Sequence, residues 1–173
     1  QFEAIHPFSN GNGRTGRVLN LLHLVQAGLL STPILYQSRG IIRRKAEYYD
    51  KLRAVTFEDA WENWILHMLE VVEKSAHWTN QKIRTIRKLR EQTKSDLKKA
   101  IPKLYSSELL DVLFHQPYCR IADLVDAGIA KRQSASVYLK KLVEIGILEE
   151  EKVGREKLFI HHQYRKLLLS EDS

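Results

Sequence analysis

Twelve residues near the start of the chain hold most of its chemistry: His6-Pro7-Phe8-Ser9-Asn10-Gly11-Asn12-Gly13-Arg14-Thr15-Gly16-Arg17. Gly11 and Gly13 let successive backbone N–H groups converge where a Cβ would obstruct. They lie just before a helical pattern whose N-terminus carries partial positive charge. That combination is a nest for an anion. Arg14 and Arg17, three apart, share a face of the first turns and aim two fixed cations at the same guest, which points to a polyphosphate. His6 precedes a proline that fixes the backbone, and its ring can reach the rim of the nest. At an ordinary pKa near ~6.5 a histidine is ready to act as a general base at neutral pH.

These residues resemble the Fic family signature, His-Pro-Phe-x-(Asp or Glu)-Gly-Asn-Gly-Arg-x-x-Arg, at eight of its nine fixed positions. The resemblance implies a helical core and transfer of AMP from ATP to a Ser, Thr or Tyr hydroxyl of a target protein, with pyrophosphate released. On that basis His6 is the base, Phe8 is a core anchor for the loop, and Gly11, Asn12 and Gly13 surround the α and β phosphates, with the Asn12 side chain as an added donor. Arg14 holds the terminal phosphates. Arg17 binds the γ-phosphate and is the residue that an inhibitory glutamate captures in autoinhibited members. Tyr48 and Tyr49 match a pair that lines the adenine pocket; the plain alternative is two ordinary helix residues, one buried and one exposed. The departure is Asn10, which stands where the family has a Mg²⁺-coordinating acid. An amide oxygen can ligate magnesium, but without the charge a hard cation prefers. The phosphotransferase variant, with Ala-Asn-Lys in place of Gly-Asn-Gly, does not fit.

The elements that position these residues read as mainly α. Arg14 to Ala27 carries Val18, Leu21, Leu22 and Val25 at helical spacing, and Gly40 to Val55 and Ala60 to Glu73 repeat the pattern. Residues 74–100 read as a polar helix with a narrow stripe of Ile83, Ile86, Leu89 and Leu97, which suits a linker. Beyond Pro102, three short helices (106–115, 121–127, 131–145) precede two β-like runs, 147–153 and 157–161, turned at Gly154-Arg155. Three helices and a hairpin describe a winged helix. The expected organisation is a Fic core segment over 1–73, a basic linker helix over 74–103 and a winged-helix domain over 104–173. The resemblance covers the back half of the Fic core, so the chain reads as a piece of a longer protein. A homodimer is implied by the resemblance alone.

Composition excludes several classes. With 43% hydrophobic and 28% charged residues the chain is neither collagen-like nor disordered. One cysteine, Cys119, makes no intramolecular disulfide, so a reducing cytoplasm is the expected setting. No apolar run approaches the ~20 residues of a membrane span, and no secretory signal is visible. Of the net charge of +7, residues 75–103 supply the whole excess, with nine cations against Glu91 and Asp96. A solvated helix is the plain reading of such a run, and a phosphate-tracking surface the alternative.

A rival reading treats the chain as a DNA-binding or regulatory module with a degenerate Fic core. Lys131, Arg132, Gln133 and Ser134 open the third C-terminal helix, and Ser136 and Lys140 follow off its apolar stripe of Ala135, Tyr138, Leu139 and Leu142. Short polar and basic side chains there suit major-groove contact, and Arg155 in the wing turn suits a phosphate. His161 and His162 read as wing surface. Trp61 and Trp64 read as core, and His23, His67 and His77 show no metal-ligand spacing.

Overall fold

A computed structural model describes residues 2–154 and 156–170, apart from the side chains of Glu3 and Ala4. The chain forms two compact units, one ending at Gln81 and the other beginning at Lys82. The elements in order are α1 (Phe2–Ile5), α2 (Asn12–Gln26), α3 (Gln37–Arg43), α4 (Lys45–Glu58), α5 (Trp61–Ala100), α6 (Ser107–His115), β1 (Tyr118–Cys119), α7 (Ile121–Asp126), α8 (Arg132–Glu144), β2 (Glu149–Val153), β3 (Glu156–Ile160) and α9 (His162–Leu169). The fold is mainly helical with one small antiparallel sheet of order β1-β3-β2. Among the described residues no helix is long and apolar enough to cross a membrane.

In the first unit Ile41, Tyr48 and Val71 are buried, with Leu52, Trp64 and Met68 packed against them. The Tyr48 and Trp64 rings meet edge to face at 5.1 Å, an arrangement aromatic quadrupoles favour. Helices α3 and α5 approach closely because Gly40 has no side chain: a Cβ there would stand 3.0 Å from Val71 Cγ1 and 3.2 Å from Ser75 Oγ. Arg44 ties α4's start to α5 through Glu70 at 2.9 Å, and Lys74 pairs with the same carboxylate. These two cations hold the Glu70 carboxyl down at about 2. The helix expected over 40–55 is two helices, broken at Arg44. The separate helices expected on either side of residues 73 and 74 are one element, α5, because no Gly or Pro interrupts 61–100. The apolar stripe of α2 is only half realised. Val18 and Leu22 are exposed, while Asn12 and Gly16 are its buried residues. Trp61, expected in the core, is likewise exposed.

The second unit has the larger core. Leu109, Leu110, Leu113, Leu124, Leu139 and Phe159 are fully buried, and each contributes about 2 kcal/mol by leaving water. Ser106 Oγ caps α6 by accepting from Leu109 N–H at 3.1 Å, and Asp123 accepts from Arg120 N–H at 2.7 Å where α7 begins. The stripe read for 131–145 is realised, with Ala135, Leu139 and Leu142 buried. Strand β2 is exposed throughout and pairs with β3 from Glu149↔Ile160 to Val153↔Glu156. Its run of glutamates charges an edge that would otherwise template pairing with another chain.

Two features of this unit escaped the sequence. Helix α9 is latched by Lys82, which is 6% exposed and donates from Nζ to the carbonyls of Leu167 and Ser170 at 2.6 and 2.7 Å. Its third donor meets Ser170 Oγ at 2.8 Å. One cation of the basic run is thus a buried helix cap. His161, expected on the wing surface, is 2% exposed and packs edge-on against Phe114 at 5.1 Å. Burial pushes its imidazole down to about 4. His162 does stand outside, 3.5 Å from Glu149. Burial pushes the Cys119 thiol up to about 12, which leaves it unreactive.

Candidate active site

One carboxamide closes the loop before α2. Asn12, the first residue of the helix, accepts from the Phe8 N–H through Oδ1 at 3.0 Å and donates through Nδ2 to the Phe8 carbonyl at 2.5 Å. The ring so formed turns the chain sharply enough to put Gly11 at φ 84, a conformation glycine takes without steric cost. The Gly11 carbonyl then accepts from both the N–H and Oγ1 of Thr15, at 3.0 and 3.2 Å. His6 also lies in the left-handed region, at φ 51, with its N–H donated to the Phe2 carbonyl at 3.1 Å. For a residue with a Cβ that conformation costs about 1–3 kcal/mol. The strain falls on the residue expected to act as base, which is exposed.

Among the described residues no side chain caps the N-terminus of α2 and no acid occupies its first turn. The first N–H groups therefore remain for an anion to take. A Cβ built on Gly11 would lie 3.6 Å from Arg14 Nη2, so the Arg14 guanidinium folds over the nest. Arg14 and Arg17 line a cleft of about 290 Å³ with Tyr36, Gln37 and Ser38. The structure thus sets Arg14 beside Gly11 and places Arg14 and Arg17 on one cleft.

The structure adds detail at four of the expected residues and corrects one of them, Phe8. The Asn12 side chain spends its oxygen and one of its two amide N–H groups on Phe8, so it also shapes the loop. Phe8 is 51% exposed and is no core anchor, since the four-residue α1 offers it one aromatic neighbour, Phe2, at 6.2 Å. Tyr48 and Tyr49 divide. Tyr48 lines a cavity of about 590 Å³ with Gly16, Trp61, Trp64 and Met68, whereas Tyr49 is exposed and meets Tyr48 edge-on at 5.4 Å.

Gln37 is the residue that sequence reasoning missed. It is buried, lines both the arginine cleft and the larger cavity, and its Oε1 has no hydrogen-bond partner. An isolated glutamine at the start of a short helix gives no signal of this, since only the packing around it removes its water.

Magnesium does not fit the residues present. The Asn10 oxygen accepts from the Gly11 N–H at 2.7 Å, so it is turned into the loop. Residues 4–46 contain no Asp or Glu at all. Among the described residues no group of three or more His, Cys, Asp or Glu could hold a metal. A hard cation takes one or two carboxylates beside substrate phosphates; here it would face a neutral amide and two guanidiniums.

The second candidate surface lies on α8. Lys131, Arg132, Gln133, Ser134 and Lys140 are exposed and Ser136 is half-buried, while Arg155 lies outside the described residues. The acids nearby are matched by cations: Glu150 pairs with Lys157 at 2.5 Å and Glu151 with Arg165 at 3.9 Å.

An uncapped helix start beside two guanidiniums is an arrangement that suits an anion. Residues 1–24 match the Fic/DOC family, and residues 89–164 match the C-terminal domain of the SoFic-like protein adenylyltransferases. Both matched stretches are thus similar to parts of Fic proteins. At the family level the two matches suggest a protein adenylyltransferase, for which ATP is the implied substrate.

Proposed function

We propose that this chain contributes the phosphate-binding and proton-accepting half of a protein adenylyltransferase that moves AMP from ATP to a Ser, Thr or Tyr hydroxyl. The observation that carries the reading is the open N-terminus of α2 beneath Arg14, six residues after a His6 held in a strained conformation. His6 accepts the proton of the attacking hydroxyl, whose oxygen bonds to the α-phosphorus as the bond to the bridging oxygen of the β-phosphate breaks. The N–H groups at the helix start hold the phosphate oxygens, and Arg14 and Arg17 neutralise the charge that gathers on departing pyrophosphate. In-line geometry is enforced by the clamped loop, so positioning and charge account for the acceleration. Tyr48, on the cavity shared with Gly16, is the residue offered to the adenine. Tyr49, which faces out, is left as an edge contact. The test is incubation with ATP labelled at the α or the γ phosphate in bacterial lysate. Protein should take the α label and not the γ label, and His6→Ala should abolish it; γ transfer, or α transfer that survives His6→Ala, would overturn the assignment.

A second reading concerns residues 82–173 alone. The order α6, β1, α7, α8, β2, β3 supports a winged-helix reading, in which α8 would be the recognition helix. The pairing of Glu150 and Glu151 with Lys157 and Arg165 favours this reading, because it quiets the acids that would repel a phosphate backbone. DNA binding through Lys131, Arg132, Gln133, Ser134 and Lys140 predicts that affinity for duplex falls linearly with log salt and that Arg132→Ala flattens the slope by about one phosphate contact. Salt-independent retention of duplex would remove this reading. Cytoplasmic residence accords with a single, unreactive thiol.

A further inference from the structure

We infer that this chain takes its polyphosphate free of magnesium, the cation's part being played by Arg14 and Arg17, with Asn10 shaping the loop. The inference rests on the nucleotide-binding reading above and deepens it. Three observations converge. Asn10 Oδ1 is spent on the neighbouring Gly11 N–H at 2.7 Å, so the position acts inside the loop as a turn-forming amide. The stretch 4–46 contains six cations (Arg14, Arg17, Arg39, Arg43, Arg44 and Lys45) and no acid. Among the described residues neither Arg14 nor Arg17 is engaged in an ion pair, so both guanidiniums are free to meet phosphate.

The sign of the effect follows from charge. Complexing ATP with magnesium halves the negative charge that two guanidiniums and a helix N-terminus can attract, and residues 4–46 hold no carboxylate to repay the loss by binding the metal. An aspartate at position 10 would reverse this. Its carboxylate would still accept from Gly11 N–H and would add an anionic oxygen at the phosphate side of the nest.

The experiment is equilibrium binding of ATP to the full chain by calorimetry, in excess Mg²⁺ and again with the metal chelated by EDTA at matched ionic strength, for the native chain and for Asn10→Asp. The native chain should bind as tightly or a few times more tightly after chelation, and Asn10→Asp should bind more weakly after chelation. Native affinity that falls when magnesium is removed overturns the inference and leaves the nucleotide site standing. Asn10→Asp behaving like the native chain removes Asn10 as the cause and overturns it too. Absence of ATP binding under every condition overturns the nucleotide-binding reading itself, and this inference with it. Tripolyphosphate in place of ATP should show the same sign, because the effect belongs to the phosphates.

Discussion

Asn12→Ala should loosen the phosphate loop while leaving α2 formed. The side chain makes two hydrogen bonds to one backbone unit, to Phe8 N–H at 3.0 Å and Phe8 C=O at 2.5 Å. At about 1 kcal/mol net for each, the clamp contributes roughly 2 kcal/mol. That is the same size as the strain of about 1–3 kcal/mol that a left-handed His6 stores, so without the clamp the strained loop loses its counterweight. Water can replace the lost bonds, since Phe8 is exposed, and alanine recovers a few tenths of a kcal/mol of helix propensity at the first position of α2. Opening of the loop should therefore rise about 30-fold, at 1.4 kcal/mol per factor of ten. Amide exchange at Phe8 reads it directly, and ATP affinity should fall by about tenfold. Asn12→Asp separates the two bonds: it keeps the acceptor for Phe8 N–H but sets a carboxylate against the Phe8 carbonyl. Unchanged Phe8 exchange in Asn12→Ala would refute the reasoning, because the loop would then owe its shape to something other than this carboxamide.

Other outcomes follow from the same geometry. Lys82→Met should lower stability by about 2–3 kcal/mol, since three bonds from a buried ammonium are lost while its desolvation cost is recovered; a urea titration with hydrogen exchange should show the first loss of protection in α9, and a change below ~0.5 kcal/mol would dismiss the latch. His161 is protonated near 6.5 when unfolded and only near about 4 when folded, so folding is stabilised by the neutral ring above pH 6.5 and that contribution drains away as the pH falls through 4. The unfolding free energy should drop by an amount on the order of 3 kcal/mol between pH 7 and 4, and His161→Asn, which keeps an N-cap, should flatten that slope. Gly40→Ala should destabilise by about 1 kcal/mol despite its better helix propensity, because the new methyl meets Val71 Cγ1 at 3.0 Å. The double variant with Val71→Ala should be milder than the two single changes summed, and additivity would place the clash elsewhere.

The part of the site that is visible in the sequence is local. Gly11, Gly13, Arg14 and Arg17 act through backbone freedom and helical spacing, which four consecutive turns of reasoning can supply without any tertiary contact. The missing carboxylate at Asn10 is visible in the same way, as is the alternation of buried and exposed positions in α6 and α8, whose Leu109, Leu110, Leu113, Leu139 and Leu142 face one core. What only the tertiary structure decided depends on neighbours distant in the chain. Lys82 reads as one more solvated cation until α9, some 85 residues away, lays its last carbonyls against the ammonium. His161 reads as surface until Phe114 and Tyr164 close around it and remove its water. Asn12 reads as a ligand donor because its chemistry allows it, and the turn at Gly11 adds a second task by bringing Phe8 back within reach of the amide oxygen and one N–H. Local pattern determines what a residue is able to do; which of its options is taken depends on the partner that folding delivers, because a buried polar group must satisfy itself with whatever lies nearest.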